Sequence, residues 1–239
     1  MRILLINPNT SRAMTAKIAD AARAVAGPGV EIAAVCPEPG EAPAAIESHT
    51  DEAFAAVAIV RAIEADLAMG GSDAYVIACF GDPGLDAARE LVEVPVVGIA
   101  EAAMHVAAIS GRSFGIVTTL SRTLGRAQDL LHRYGMVTAC VSMSATGIPV
   151  LDLEDAAPCD IDTIAQHCTD AVARHGADAI VLGCAGMADL CGHLAERVGV
   201  PVVDGVAAAV GLAAAMSRMN VGTSKRDEYA LPPSRAALV

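Results

Sequence analysis

The sequence predicts an α/β fold built from two similar, doubly wound parallel-sheet lobes, and three observations lead to that prediction. Short apolar segments rich in Val and Ile alternate with longer Ala-rich segments of helical length. The apolar segments are continuous, which is typical of parallel strands covered by helices on both faces. One strand-helix-strand pattern also occurs twice along the chain, so the two halves are expected to fold alike.

Eight apolar segments are predicted strands, and most of the intervals between them are long enough for a helix. The predicted strands cover residues 3–7, 30–36, 74–79, 94–98, 114–118, 136–141, 179–184 and 200–203. Polar residues that favour helix starts occur at 9–11, 48–51 and 121, and glycines that favour helix ends occur at 27, 135 and 176.

The internal repeat relates one half of the chain to the other. Residues 71–81 align with residues 176–186, which pairs Cys79 with Cys184, 105 residues later. In both copies Gly-x-Asp-Ala leads into the strand, and Val-Pro-Val-Val follows the next helix. We therefore predict a pseudo-two-fold axis between the lobes, with the active site in the cleft between them. The predicted lobes are residues 1–100 with 206–220, and residues 101–205, followed by a C-terminal tail at 221–239.

Composition excludes several classes of protein. The chain has 239 residues, of which 54% are hydrophobic and 18% charged, a balance that excludes intrinsic disorder. A formal net charge of -12 argues against nucleic acid as a partner. No apolar run is long enough to span a membrane, so no membrane partner is expected. The N-terminal segment lacks a cleavage pattern, and we expect a cytoplasmic protein with reduced thiols.

Cofactor chemistry lacks its usual sequence motifs. The only lysines are Lys17 and Lys225, and neither is well placed for a pyridoxal Schiff base. No glycine-rich dinucleotide or P-loop motif occurs, and none of the seven cysteines forms a C-x-x-C pair that would indicate zinc. We therefore predict a protein with neither metal nor organic cofactor.

The paired cysteines are the candidate catalytic groups. Cys79 and Cys184 end equivalent predicted strands, and ligands of open α/β sheets bind beyond the carboxyl ends of strands. Across a pseudo-two-fold axis the two thiols would flank one cleft from opposite sides. Helix N-termini are expected to lower each thiol pKa towards neutrality, which allows one thiolate and one thiol. Such a pair can remove a proton from one face of a carbon and return one to the other.

Three motifs resemble the aspartate/glutamate racemase superfamily, in particular its hydantoin and allantoin racemase branch. They are Ile-Asn-Pro-Asn-Thr-Ser at 6–11, Ala-Cys-Phe-Gly-Asp-Pro-Gly-Leu at 78–85 and Leu-Gly-Cys-Ala-Gly-Met at 182–187. The resemblance extends to about residue 220. It implies a cofactor-independent, two-base racemase in which Cys79 and Cys184 are the acid/base pair.

The residues after the two cysteines favour a small neutral cyclic ureide as substrate. Amino-acid racemases of the superfamily commonly have Cys-Asn-Thr and Gly-Cys-Thr-Glu there, whereas this chain has Phe80-Gly81 and Ala185-Gly186. Loss of the hydantoin C5 proton produces an enolate, which backbone N–H groups near these residues could stabilise. Glycine at 81 and 186 would let the backbone approach a flat ring, and Phe80 would exclude water.

Other polar residues complete the predicted pocket. Asn9, Thr118 and Thr119 lie at the ends of predicted strands and supply neutral hydrogen-bonding groups, and the resemblance also puts the pocket there. His49 either contacts substrate or belongs to a helix start capped by Ser48. Asp82 is expected to cap the helix that follows Cys79.

Three alternatives remain beside the racemase of hydantoins or allantoin. An aspartate or glutamate racemase is disfavoured by the pairs that follow the cysteines. The resemblance also implies decarboxylase and cis-trans isomerase relatives that share this scaffold; such decarboxylases typically retain one of the two cysteines, so the presence of both disfavours them. A two-lobed small-molecule binding protein without catalytic activity would bind its ligand without turnover. Ala-rich helices with small faces, around residues 53–58 and 207–215, lead us to expect a homo-oligomer.

Overall fold

The computed structural model describes residues 1–231, so the part of the predicted tail at 232–239 lies outside the described residues. The first sheet has the strand order β2-β1-β3-β4 and the second has the order β6-β5-β7-β8. Every strand pairing within the two sheets is parallel. The strands are β1 (Arg2–Ile6), β2 (Glu31–Val35), β3 (Ala74–Ile77), β4 (Val96–Gly98), β5 (Phe114–Thr118), β6 (Cys140–Ala145), β7 (Ala179–Leu182) and β8 (Val202–Val203).

Helices flank both sheets, which confirms the predicted α/β class. They are α1 (Arg12–Val25), α2 (His49–Leu67), α3 (Leu85–Leu91), α4 (Ile99–Ser110), α5 (Leu124–Arg133), α6 (Pro158–His175), α7 (Cys191–Val198) and α8 (Gly205–Arg218). Short 3-10 helices cover Ser121–Thr123, Val150–Asp155, Ala185–Leu190 and Asp227–Tyr229. Among residues 1–231, no helix combines the length and the apolar character needed to cross a membrane.

The two sheets have the same topology and share equivalent backbone hydrogen bonds. The N–H of Tyr75 in β3 donates to the Pro95 carbonyl at 2.9 Å, and the N–H of Ile180 in β7 donates to the Pro201 carbonyl at the same distance. Strand order and these matched contacts agree with the predicted internal repeat. Both prolines precede a short strand, where the missing proline N–H removes no ladder bond.

One predicted strand is wrong in position. Residues 136–141 were expected to form it, but β6 runs from Cys140 to Ala145. Gly135 takes a left-handed conformation (φ 70°) at the end of α5, and the N–H of Met136 donates to the Leu131 carbonyl. The apolar residues after Gly135 therefore terminate the helix and form a turn, so the strand starts later.

Helices α4 and α8 join the two sheets. Helix α4 follows the first sheet but packs on β7, and α8 follows the second sheet but packs on β3; the two helices also pack on each other. The helices meet closely at their first residues, where a β-carbon on Gly205 would lie 2.7 Å from the Ile99 carbonyl oxygen. Apolar residues of both sheets and both helices form one buried cluster, which holds the two halves rigidly around the space between them.

Candidate active site

The paired cysteines occupy matching positions at the carboxyl ends of the two sheets. Cys79 lies two residues beyond β3, and Cys184 lies two residues beyond β7. Both line a single cavity of about 60 Å³. A cavity needs roughly 10–15 Å³ to hold one water molecule, so this one has room for several waters. Among residues 1–231, no three His, Cys, Asp or Glu side chains are grouped so as to hold a metal ion.

Each sulfur accepts a hydrogen bond from the backbone two residues further along. The N–H of Gly186 donates to Cys184 Sγ at 3.4 Å, and the N–H of Gly81 donates to the Cys79 thiol. These donors lie at equivalent positions of the repeat. They were expected near the substrate oxygen, but in the structure they support the sulfurs.

The two thiols do not have the near-neutral pKa values expected from helix N-termini. Burial raises the pKa of Cys79 to about 12 and that of Cys184 to about 11. Loss of hydration around the thiolate outweighs the single backbone N–H that favours it. Cys79 is also separated from α3 by residues 80–84, so no helix begins at its sulfur. The expectation of lowered thiol pKa values is therefore wrong for this structure.

Neighbouring charges make the two thiols unequal. Lys17 lowers the pKa of Cys184, although Glu47 opposes it. Cys79 is surrounded by groups that raise its pKa further, namely Cys184, Glu52 and Asp82. Cys184 is therefore the sulfur that ionises more readily.

Asn9 forms one wall of the cavity, with its amide held by its neighbours. Asn9 is buried, and its Oδ1 accepts from Asn7 Nδ2 at 2.8 Å and from the Ser11 N–H at 2.9 Å. Asn7 also donates to Thr15 Oγ1 at 2.9 Å, which fixes its orientation. Within residues 1–231, Asn9 Nδ2 donates only to Met14 Sδ, a weak acceptor, at 3.4 Å. The Asn9 amide N–H groups are thus the ones left for a ligand carbonyl.

Thr118 and Thr119 form the equivalent wall in the second half, and both are buried. Thr118 Oγ1 donates to the Gly183 carbonyl at 3.1 Å, and a β-carbon on Gly183 would lie 2.7 Å from Thr118 Cβ. The Thr118 hydroxyl is therefore used to hold the strand that carries Cys184. Thr119 lines the same cavity beside it.

Glu52 and Arg126 bring opposite charges to the loop after Cys79. Arg126 Nη2 and Nε donate to the Gly81 carbonyl at 2.7 and 3.0 Å. Glu52 Oε1 lies 3.4 Å from Arg126 Nε. A β-carbon on Gly81 would lie only 2.6 Å from Glu52 Oε1. The absence of a side chain at 81 therefore makes room for the Glu52 carboxylate, and the approach of a flat ring to Gly81, which also lines the cavity, stays a prediction.

Gly186 is likewise enclosed by protein side chains. A β-carbon there would lie 3.1 Å from Leu153 Cβ and 3.3 Å from Met14 Cε. Gly186 is absent from the cavity wall and supports Cys184 from behind through its N–H. The residue thus has no open face for a substrate ring.

Asp82 stabilises a different helix from the one expected. Gly84 precedes α3 without a side-chain cap, whereas the buried Asp82 carboxylate accepts from the N–H groups of Ala100 and Glu101 at 3.1 and 2.8 Å. It therefore caps α4 and not α3. Its left-handed backbone (φ 43°) turns the chain so that the carboxylate can reach α4.

His49 lies outside the cysteine cavity. It is exposed at the first position of α2 and lines an adjoining pocket of about 120 Å³. Ser48 Oγ accepts from the Asp51 N–H at 3.1 Å, which confirms the helix-start interpretation of this segment. The adjoining pocket shares Glu52 and Arg126 with the cysteine cavity.

The structure brings most of the predicted pocket together and adds residues that sequence reasoning missed. The predicted residues that line the cavity are Asn9, Phe80, Gly81, Thr118, Thr119 and Ala185, beside both cysteines. The added residues include Asn7, Met14, Ile46, Glu52, Arg126 and Val150. Asn7 belongs to the first motif and could have been named from it. The others lie on helices and loops whose spacing carries no signal for a site.

Comparison with known proteins gives matches along the whole chain. A profile described as Asp/Glu/Hydantoin racemase matches residues 3–213. A hydantoin racemase of Rhizobium meliloti is 43% identical, with 99% of this chain and 97% of that protein covered. The solved allantoin racemase from Klebsiella pneumoniae is 49% identical, with a TM-score of 0.94 and coverage of 98% and 94%. The allantoin racemase from Pseudomonas fluorescens is 39% identical, with a TM-score of 0.89 and coverage of 98% and 97%.

Proposed function

Because this chain belongs to the Asp/Glu/hydantoin racemase family, we propose that it racemises 5-substituted hydantoins or allantoin with a thiol/thiolate cysteine pair. One observation supports the cysteine assignment above all others. Cys79 and Cys184, at equivalent positions of two parallel sheets, line the same small cavity. A racemase needs an acid and a base on opposite faces of one carbon, and a pseudo-two-fold pair supplies them.

The proposed reaction is a transfer of two protons around one carbon. One cysteine thiolate removes the C5 proton, and the C–H electron pair moves into the adjacent ring carbonyl to give an enolate. The thiol on the opposite face then protonates C5 as the electron pair returns from oxygen. The first cysteine ends as a thiol and the second as a thiolate, so the reverse reaction uses the same groups in exchanged roles.

The cavity walls suit a neutral ring that becomes an anion during the reaction. Asn9 offers amide N–H groups, and the backbone N–H groups of Phe80 and Ala185 lie next to the sulfurs along the chain. These donors can stabilise charge on the enolate oxygen. Both thiols are partly buried and poorly hydrated, which strengthens the interaction of such donors with a developing charge.

Substitution of each cysteine tests the proposal. In Cys79→Ser and in Cys184→Ser we expect racemisation, followed by optical rotation of separate enantiomers, to fall at least about 1000-fold. Deuterium exchange at C5 should persist with one enantiomer only, and with opposite enantiomers in the two variants. Cys159→Ser is the matched control, since Cys159 is exposed on α6 and lies outside the cavity. Full racemisation by either active-site variant would exclude the two-base mechanism.

The remaining properties that we propose have direct tests. The enzyme acts without metal or organic cofactor, so activity should survive prolonged incubation with a chelator. It works in the cytoplasm, where both thiols stay reduced. It forms a homo-oligomer, for which the exposed Phe54 and Val57 on α2 offer an apolar surface. A monomeric elution volume in size-exclusion chromatography would contradict the last point.

A further inference from the structure

Two oppositely charged side chains mark the place where the cysteine cavity meets the adjoining pocket. Glu52 on α2 and Arg126 on α5 line both spaces. The adjoining pocket measures about 120 Å³. A substrate whose reacting carbon lies between the cysteines would extend its substituent past this pair.

The Glu52 carboxylate lies beside Arg126 without accepting a hydrogen bond from it. Arg126 directs Nε and Nη2 to the Gly81 carbonyl, and the nearest approach of its Nε to Glu52 Oε1 is 3.4 Å. Within residues 1–231, no group donates a hydrogen bond to this carboxylate, although its side chain is only 20% exposed. Burial accordingly raises the pKa of Glu52. A largely enclosed carboxylate without a donor is unfavourable unless a ligand supplies N–H groups.

The opposite charges of Glu52 and Arg126 favour a neutral group on the substrate. Arg126 lies beside Glu52, so an ammonium group on the substrate would meet the guanidinium, and a carboxylate would meet the Glu52 carboxylate. A urea group is neutral, carries N–H groups that can donate together to one carboxylate, and has a carbonyl that can accept from a guanidinium. An alkyl group satisfies neither side chain and leaves the carboxylate without a donor.

We propose that Glu52 and Arg126 form a subsite for a ureido group attached to the reacting carbon, and that this subsite makes allantoin the preferred substrate over 5-alkylhydantoins. The inference rests on the proposed function, because it takes the reacting carbon to lie between Cys79 and Cys184. Specificity of this kind is strong, since an analogue that lacks the polar group leaves the largely enclosed Glu52 carboxylate without a hydrogen-bond donor from the ligand.

The test compares two substrates in parallel. The value of kcat/KM is measured by circular dichroism for enantiopure allantoin and for enantiopure 5-isobutylhydantoin, with the parent protein and with Glu52→Ala, Glu52→Gln and Arg126→Lys. We expect the parent to favour allantoin and Glu52→Ala to lower the allantoin/alkylhydantoin ratio about 30-fold. Glu64→Gln is the matched control, because Glu64 is exposed on the same helix and lines neither space.

Each outcome decides the inference. A lowered ratio in the Glu52 variants supports the subsite. Equal losses on both substrates would overturn it and identify Glu52 as a residue that only positions the cysteine loop. A parent protein that prefers the alkylhydantoin would also overturn it while leaving the racemase function intact. If the parent racemised neither substrate, the proposed function itself would fail. Should Glu52→Ala not fold, Glu52→Gln decides by the same ratio.

Discussion

Tyr134 donates a hydrogen bond of 2.7 Å to the Asp82 carboxylate, and this contact ties the end of α5 to the loop that carries Cys79. Asp82 also accepts from the first turn of α4, so three donors hold it. Despite those donors, burial raises the pKa of Asp82 to about 7. A buried carboxylate held by donors from α4 and the end of α5 positions the loop between Cys79 and α3.

We therefore expect Tyr134→Phe to disturb Cys79 more than Cys184. The variant should racemise about tenfold more slowly, as one hydrogen bond to a buried charged group is lost. Initial rates of C5 deuterium exchange should change unequally for the two enantiomers, because only the loop that carries Cys79 loses a hydrogen bond that positions it. Tyr229→Phe removes a comparable 2.8 Å bond to Asp86 outside the cavity and serves as the control. Equal changes for both enantiomers would indicate a purely structural role.

Gly81→Ala should move the Glu52 carboxylate with little effect on stability. The new β-carbon would meet the flexible end of the Glu52 side chain, so the free energy of unfolding should change by less than about 1 kcal/mol. The allantoin/alkylhydantoin ratio of kcat/KM should fall. Apart from its chain neighbours and its own helix backbone, no atom of residues 1–231 lies within 4 Å of a β-carbon at Gly125 on α5, so Gly125→Ala should leave that ratio unchanged. An unaltered ratio in Gly81→Ala would contradict the proposed placement of Glu52.

The raised thiol pKa values predict activity that increases with pH. Thiols with pKa values of about 12 and 11 are almost entirely protonated at neutral pH, so the thiolate population grows as pH rises towards those values. We expect kcat/KM to increase by close to tenfold per pH unit between pH 7 and 9, after subtraction of the uncatalysed rate. A plateau in this range would show that the thiolate is already formed, and that the donors around the sulfur outweigh burial.

Two glycines of α8 should respond to alanine in opposite directions. A β-carbon on Gly205 would lie 2.7 Å from the rigid backbone of Ile99, so Gly205→Ala should lower the free energy of unfolding by about 1–3 kcal/mol. Gly211 is exposed in the same helix, and outside that helix no atom of residues 1–231 lies within 4 Å of its new β-carbon, so Gly211→Ala should stabilise by about 0.5–1 kcal/mol. Urea denaturation measures both. Destabilisation by Gly211→Ala would contradict the open environment of that position.

The local sequence pattern was sufficient to predict the α/β class, the internal repeat and the position of Cys79 and Cys184 at strand ends. Continuous apolar segments specify buried parallel strands, and a repeated lead-in aligns the cysteines without knowledge of the fold. The same pattern predicted strand positions less well where apolar residues form a turn, as after Gly135. Hydrophobic periodicity does not distinguish a strand from the end of a helix.

Only the tertiary structure determined the pKa values of the two thiols and the charged pair, Glu52 and Arg126, at the edge of the cavity. Glu52 and Arg126 are 74 positions apart, and the sequences of their helices give no signal of a site. Their contact beside Gly81 therefore depends on how the two halves pack. The same holds for the capping of α4 by Asp82 and for the raised thiol pKa values. Spacing along a chain records which residues share a face, whereas burial and charge neighbours depend on contacts between distant segments.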